Sequence, residues 1–63
     1  MIKLCDILLR IKKGIILIYD YETGEVLKRM QGNDTDSINE LYKTAEVVRL
    51  EAVNDTIRIG IIL

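Results

Sequence analysis

Sixty-three residues make one domain, near the lower limit for a chain stabilised by a hydrophobic core alone, because small folds bury a smaller share of their surface. With no histidine and a single cysteine, Cys5, an intrachain disulfide and a structural zinc site are excluded, as are triads and zinc-hydroxide mechanisms in their usual forms. The chain is 49% hydrophobic, mostly Ile, Leu and Val, and carries a formal net charge of −1 with 30% charged residues, which gives neither a nucleic-acid binder's basic field nor a disordered acidic tail.

The first residues, Met1 to Asp6, lack the basic region, apolar stretch and cleavage site of a signal peptide. The longest apolar run, Ile15 to Tyr19, falls far short of the roughly 20 residues a membrane helix needs. A cytoplasmic protein without a membrane partner is expected, consistent with a lone thiol. Leu4, Leu8 and Ile11 recur at helical spacing with Ile7 beside them, and Gly14 follows Lys12 and Lys13 where a left-handed stop belongs. The pattern predicts a helix from about Lys3 to Lys12, its basic end suited to the helix dipole.

Ile15 to Tyr21 is a β-branched and aromatic run, and Glu22-Thr23-Gly24 supplies a turn before a second strand, Glu25 to Gln31. A three-residue loop with a glycine bulge puts Tyr21 opposite Glu25 and Tyr19 opposite Leu27. Ile16 and Ile18 lie on one side of the first strand and Ile15, Leu17 and Tyr19 on the other, which marks it as central. Gly32-Asn33-Asp34 then ends the sheet segment, and Ser37 followed by Glu40 has capping-box spacing in front of a helix of roughly Asp36 to Thr44.

The last hairpin gives the clearest signal. Val47 to Val53 and Thr56 to Leu63 flank Asn54-Asp55, residues that tolerate the positive φ of a two-residue turn. Pairing Val53 with Thr56 sets Val48 against Ile61, Leu50 against Ile59 and Ala52 against Ile57 on one face, with Glu51 against Arg58 and Val47 against Ile62 on the other. The expected fold is α+β, in the order α-β-β-α-β-β. It has a four-stranded antiparallel sheet, two short helices on one face, and the first and last strands side by side in the middle.

A search for chemistry returns little. Cys5 sits one position from the helix stripe; it reads as a buried small hydrophobe, the alternative being a reactive thiol near Lys3 with no base and orienting partner in view. Asp34-Thr35-Asp36 fails as a calcium loop, because Asn39 and Ala45 stand where the glycine and terminal glutamate belong; helix capping explains the acids. None of the glycines opens a phosphate loop. Tyr19 and Tyr21 are flanked by Asp20 and Glu22, a poor base-stacking platform. No catalytic residue, metal or cofactor is expected, and no nucleic-acid partner.

Charge is uneven. Lys3, Arg10, Lys12 and Lys13 against Asp6 leave residues 1–13 at +3, whereas Asp20, Glu22, Glu25, Asp34, Asp36 and Glu40 against Lys28 and Arg29 leave residues 20–40 at −4. Asp20, Glu22, Glu25, Asp34 and Asp36 are therefore candidates for steering a basic protein partner, the alternative being a solvated face. A chain this short cannot cover every apolar strand face, which predicts a homodimer through the sheet side away from the helices, with Ile16, Ile18 and Ile62 as contacts.

The leading helix, the Ile-Tyr-Asp-Tyr-Glu-Thr-Gly-Glu-Val-Leu hairpin, the Ile-Asn-Glu-Leu helix and the Val-Val-Arg-Leu-Glu-Ala-Val to Ile-Arg-Ile hairpin together resemble short accessory proteins of phages and mobile elements of Gram-positive bacteria. That resemblance spans nearly the whole chain and implies a non-enzymatic interaction module, of a kind that in some cases binds and blocks a host protein. The other expectation is a homo-oligomeric structural or assembly component with no host target.

Overall fold

The computed structural model describes residues 1–32, Asp34 and residues 38–63. The elements are α1 (Leu4–Leu8), β1 (Ile15–Asp20), β2 (Val26–Gln31), α2 (Glu40–Lys43), β3 (Glu46–Val53) and β4 (Thr56–Ile62). The fold is α+β, one four-stranded sheet in the order β2-β1-β4-β3. β1 and β4 occupy the centre, as their apolar residues on both faces require.

The sheet is mixed, which corrects the purely antiparallel expectation. β1 pairs antiparallel with β2 and β4 antiparallel with β3, but β1 and β4 run parallel, Ile16 beside Ile57 and Ile18 beside Ile59. Strand direction depends on the path between the two hairpins. Residues 32–45, which include α2, link β2 to β3 at opposite edges of the sheet, and a connection of a dozen or more residues is long enough to return the chain in the same direction.

The core lies on one side of the sheet. Ile16 and Ile18 of β1, Met30 of β2, and Ile59 and Ile61 of β4 join Leu4 and Leu8 of α1, Ile38 and Ala45 in one buried cluster, with Tyr42 of α2 packed against it. Ile16 and Ile18 are thus fully buried beneath the helices, on the face opposite to the one assigned to them as self-association contacts. Alternation separates Ile16 and Ile18 from Ile15, Leu17 and Tyr19, but both sides are apolar, so it leaves open which one the helices cover.

α1 is shorter than predicted. After Leu8 the chain continues in tight turns, Arg10 N donating to Ile7 O and Ile11 N to Leu8 O. Leu4 starts beside Ala45 and Ile15 begins beside Asp55, at the far end of the sheet. Residues 9–14 thus carry the chain in turns from the end of α1 to the start of β1. Gly14 does take positive φ (89°), but as the entry to β1 rather than as a helix stop. α2 is also shorter: its cap is Asn39, whose side chain accepts from Leu41 N at 2.9 Å. The expected cap at Ser37 lies outside the described residues.

Both hairpins carry a bulge. The first keeps the expected register through Ile18 opposite Lys28, then shifts so that Tyr19 faces Val26 instead of Leu27; Asp20 N donates to Glu25 O, which displaces the expected Tyr21–Glu25 pair. The second keeps the expected register from Val53–Thr56 to Arg49–Gly60, then shifts so that Val47 faces Ile61 and Glu46 faces Ile62, which displaces the expected Val48–Ile61 and Val47–Ile62 pairs. Each shift turns an apolar residue inward: Leu27 and Val47 both pack against the core.

Candidate protein-binding surface

β3 begins as a covered strand and ends as an open one. At its start, Val47 N donates to Ile2 O at 2.8 Å and Leu4 N donates to Ala45 O at 3.0 Å, and Lys3 bridges Glu46. Residues 2–4 thereby occupy the outer side of β3 as far as Val47. Among the described residues nothing pairs with the same side from Val48 to Val53, because β3 is the last strand of the sheet. Val48, Leu50 and Val53 expose 39%, 55% and 49% of their surface there. An unpaired strand edge with apolar side chains is a template for another strand.

The direction of the free backbone groups follows from the turn. Val53 and Thr56 close the two-residue Asn54-Asp55 loop, in which Asn54 takes positive φ (56°). Hydrogen-bonded and non-hydrogen-bonded pairs alternate from such a closing pair. Leu50 and Ala52 consequently turn their N–H and C=O groups away from β4, toward the open side. Their side chains lie on the helix-bearing face, opposite Ile59 and Ile57, beyond the area that the two short helices cover.

Arg49 and Glu51 lie on the other face of β3. Arg49 Nε donates to Glu51 Oε1 at 2.6 Å. The hydrogen bond and charge of Arg49 hold the Glu51 carboxyl below its ordinary range, and Glu51 raises Arg49 in turn. Arg49 is exposed and Glu51 half-buried, both in reach of solvent, so the pair contributes little to folding stability.

That outer face has its own covering. Tyr19 extends from β1 across Gly60 of β4, where an added Cβ would stand 2.9 Å from the ring, so glycine leaves the space the ring fills. Tyr19 is only 7% exposed, and the Arg58 guanidinium lies 5.2 Å from its ring centroid, within cation–π range. Leu17 is flanked in register by Arg29 and Arg58, long side chains whose stems shield apolar surface. The centre of the outer face is thus covered by Tyr19 and Arg58, whereas the β3 edge has no such cover.

The acidic candidates do not form one patch. Glu22 and Glu25 are exposed at the tip of the first hairpin, while Asp34 follows the far end of β2, about 20 Å away along a strand of that length. Asp36 lies outside the described residues. Asp20 is a turn residue: its Oδ1 accepts from Glu22 N at 2.9 Å and Thr23 N at 3.4 Å. Thr23 Oγ1 accepts from Glu25 N at 3.2 Å, and Gly24 follows at φ 78°. The Asp-x-x-Thr-Gly phrase is therefore a device for building this loop.

Ile62 is separated from Ile16 and Ile18. It is half-buried in a groove with Met1, Leu41, Tyr42, Ala45 and Leu63 at the end of β4, so the three proposed self-association residues share no surface. Cys5 is half-buried, less enclosed than expected, with Sγ 3.9 Å from Asp6 Oδ1. Among the described residues, no helix is long and apolar enough to cross a membrane. The sequence reading placed no site residue on the β3 edge, because the hairpin pattern identifies one neighbour of a strand but not whether its other side is occupied. Comparison with protein-family models, curated proteins and solved structures finds no match for this chain.

Proposed function

We propose that this chain is a non-enzymatic protein–protein interaction module whose contact surface is the edge of β3 from Val48 to Val53. The observation that carries the reading is that edge, with apolar side chains on a strand otherwise built into a well-packed sheet. Strand addition to such an edge draws affinity from main-chain hydrogen bonds and specificity from alternate side chains. A cytoplasmic setting belongs to the same reading and is supported by the single unpaired thiol. The resemblance to phage and mobile-element accessory proteins adds a host protein to the partners this edge would serve.

The test is site-specific photo-crosslinking in bacterial cells. A photoreactive residue at position 50 should give covalent protein adducts, to another chain of this protein or to a different one. The same residue at Glu22, on the hairpin tip, should give far fewer. Equal yields from both positions, or none from position 50, would refute the β3 surface.

A further inference from the structure

We propose that the edge of β3 pairs with the same edge of a second copy of this chain, antiparallel and centred on Leu50. This rests on the interaction-module reading and names its partner. The strand reads Val47-Val48-Arg49-Leu50-Glu51-Ala52-Val53, a sequence that is self-complementary about its middle residue. In a two-fold antiparallel pair, Leu50 faces Leu50 of the other copy, Arg49 faces Glu51, Glu51 faces Arg49, and Val48 faces Ala52. Every charge meets its opposite and every apolar residue meets another.

The backbone geometry fits the same register. Leu50 and Ala52 point their N–H and C=O groups outward, so the two Leu50 residues form a hydrogen-bonded pair across the axis. Arg49 and Glu51 then fall at non-hydrogen-bonded pairs, where side chains approach more closely. The ion pair within each β3 joins that of its neighbour in a four-membered cluster of alternating sign. Pairing is regular from Arg49 to Glu51 and ends at the Val48–Ala52 positions, because the register of β3 shifts at Val48 and residues 2–4 take the edge beyond it.

The axis stands perpendicular to the sheet, so both helical layers lie on the same side of an eight-stranded sheet. Leu50 of each copy then sits in the cleft between those layers, which explains why this leucine is 55% exposed in a single chain. Charges on an edge strand commonly serve to prevent pairing. Here their opposite signs about Leu50 favour a two-fold partner instead. The other edge of the sheet offers no such match: β2 carries Lys28 and Arg29 and no acid from Val26 to Gln31. A contact this short buries less than a standard interface of about 1,600 Å², so association is reversible and of modest affinity.

Sedimentation equilibrium over a range of concentrations tests the register. The wild type should show a reversible monomer–dimer equilibrium. Arg49→Glu and Glu51→Arg each set like charges opposite one another in the homodimer, and each should weaken association by about tenfold or more. An equimolar mixture of the two should form heterodimers, since every facing pair is again opposite in charge. The doubly exchanged chain R49E/E51R should associate like the wild type. All these side chains are on the surface, and circular dichroism should show an unchanged fold.

A wild type that remains monomeric at high micromolar concentration overturns the second copy as occupant. So does a dimer that both single variants leave intact. If the chain is monomeric but position 50 still crosslinks to a different protein, the second copy falls and the interaction module stands. If neither dimer nor adduct forms, both fall.

Discussion

At the residue scale, Asp20 and Gly60 show where the chemistry of a side chain went into the fold. Both stand out in the sequence, one as an acid in a carboxylate-rich stretch and the other as a break in an apolar strand. Neither role is legible there, because a turn acceptor depends on the conformation of the next three residues, and the space above a glycine depends on a neighbouring strand. Asp20 accepts two backbone amides, so Asp20→Ala should cost about 1 kcal/mol. Asp20→Asn retains the acceptor oxygen and should cost a few tenths. Urea unfolding of the two variants distinguishes this from a charge effect, which would make them equally destabilising.

At the element scale, the apolar pattern located the four strands found among the described residues and the regions of two helices, though not their lengths, and the cross-strand matching of Leu50, Glu51 and Ala52 gave the correct pairs in the second hairpin. It failed at the bulges, since counting in twos carries Leu27 and Val47 to the outer face and only the need to fill the core brings them back. Strand direction was hidden for a different reason: either direction of β4 satisfies the alternation, and the connection over residues 32–45 decides between them. The short α1 holds its place by Leu4, fully buried and tied by its N–H to Ala45 O. Leu4→Ala should therefore cost about 3 kcal/mol, a large part of the 5–15 kcal/mol typical of a domain. Leu9, exposed one turn later, should tolerate alanine within about 0.5 kcal/mol. Equal losses in chemical denaturation would contradict the described packing of α1.

At the scale of the whole molecule, the radius of gyration is 10.3 Å, close to the ~11 Å expected for a compact chain of this length. The exposed residues of β3 are thus not a sign of incomplete collapse. They reflect a sheet whose central strands are covered while one edge strand extends past its helices. Sequence composition points to leftover apolar surface in so short a chain, and the alternation assigns it to Ile16, Ile18 and Ile62; the core absorbs the first two and Ile62 is half-buried elsewhere. The most direct test of the β3 edge is amide hydrogen exchange, followed residue by residue in dilute and in concentrated solution. The amides of Leu50 and Ala52 should exchange rapidly when dilute and become protected on concentration, while Glu51 and Ile59, already bonded within the sheet, should change little. Exchange at Leu50 and Ala52 that is slow in dilute solution, or equally fast in both, would contradict an open edge that is closed by association.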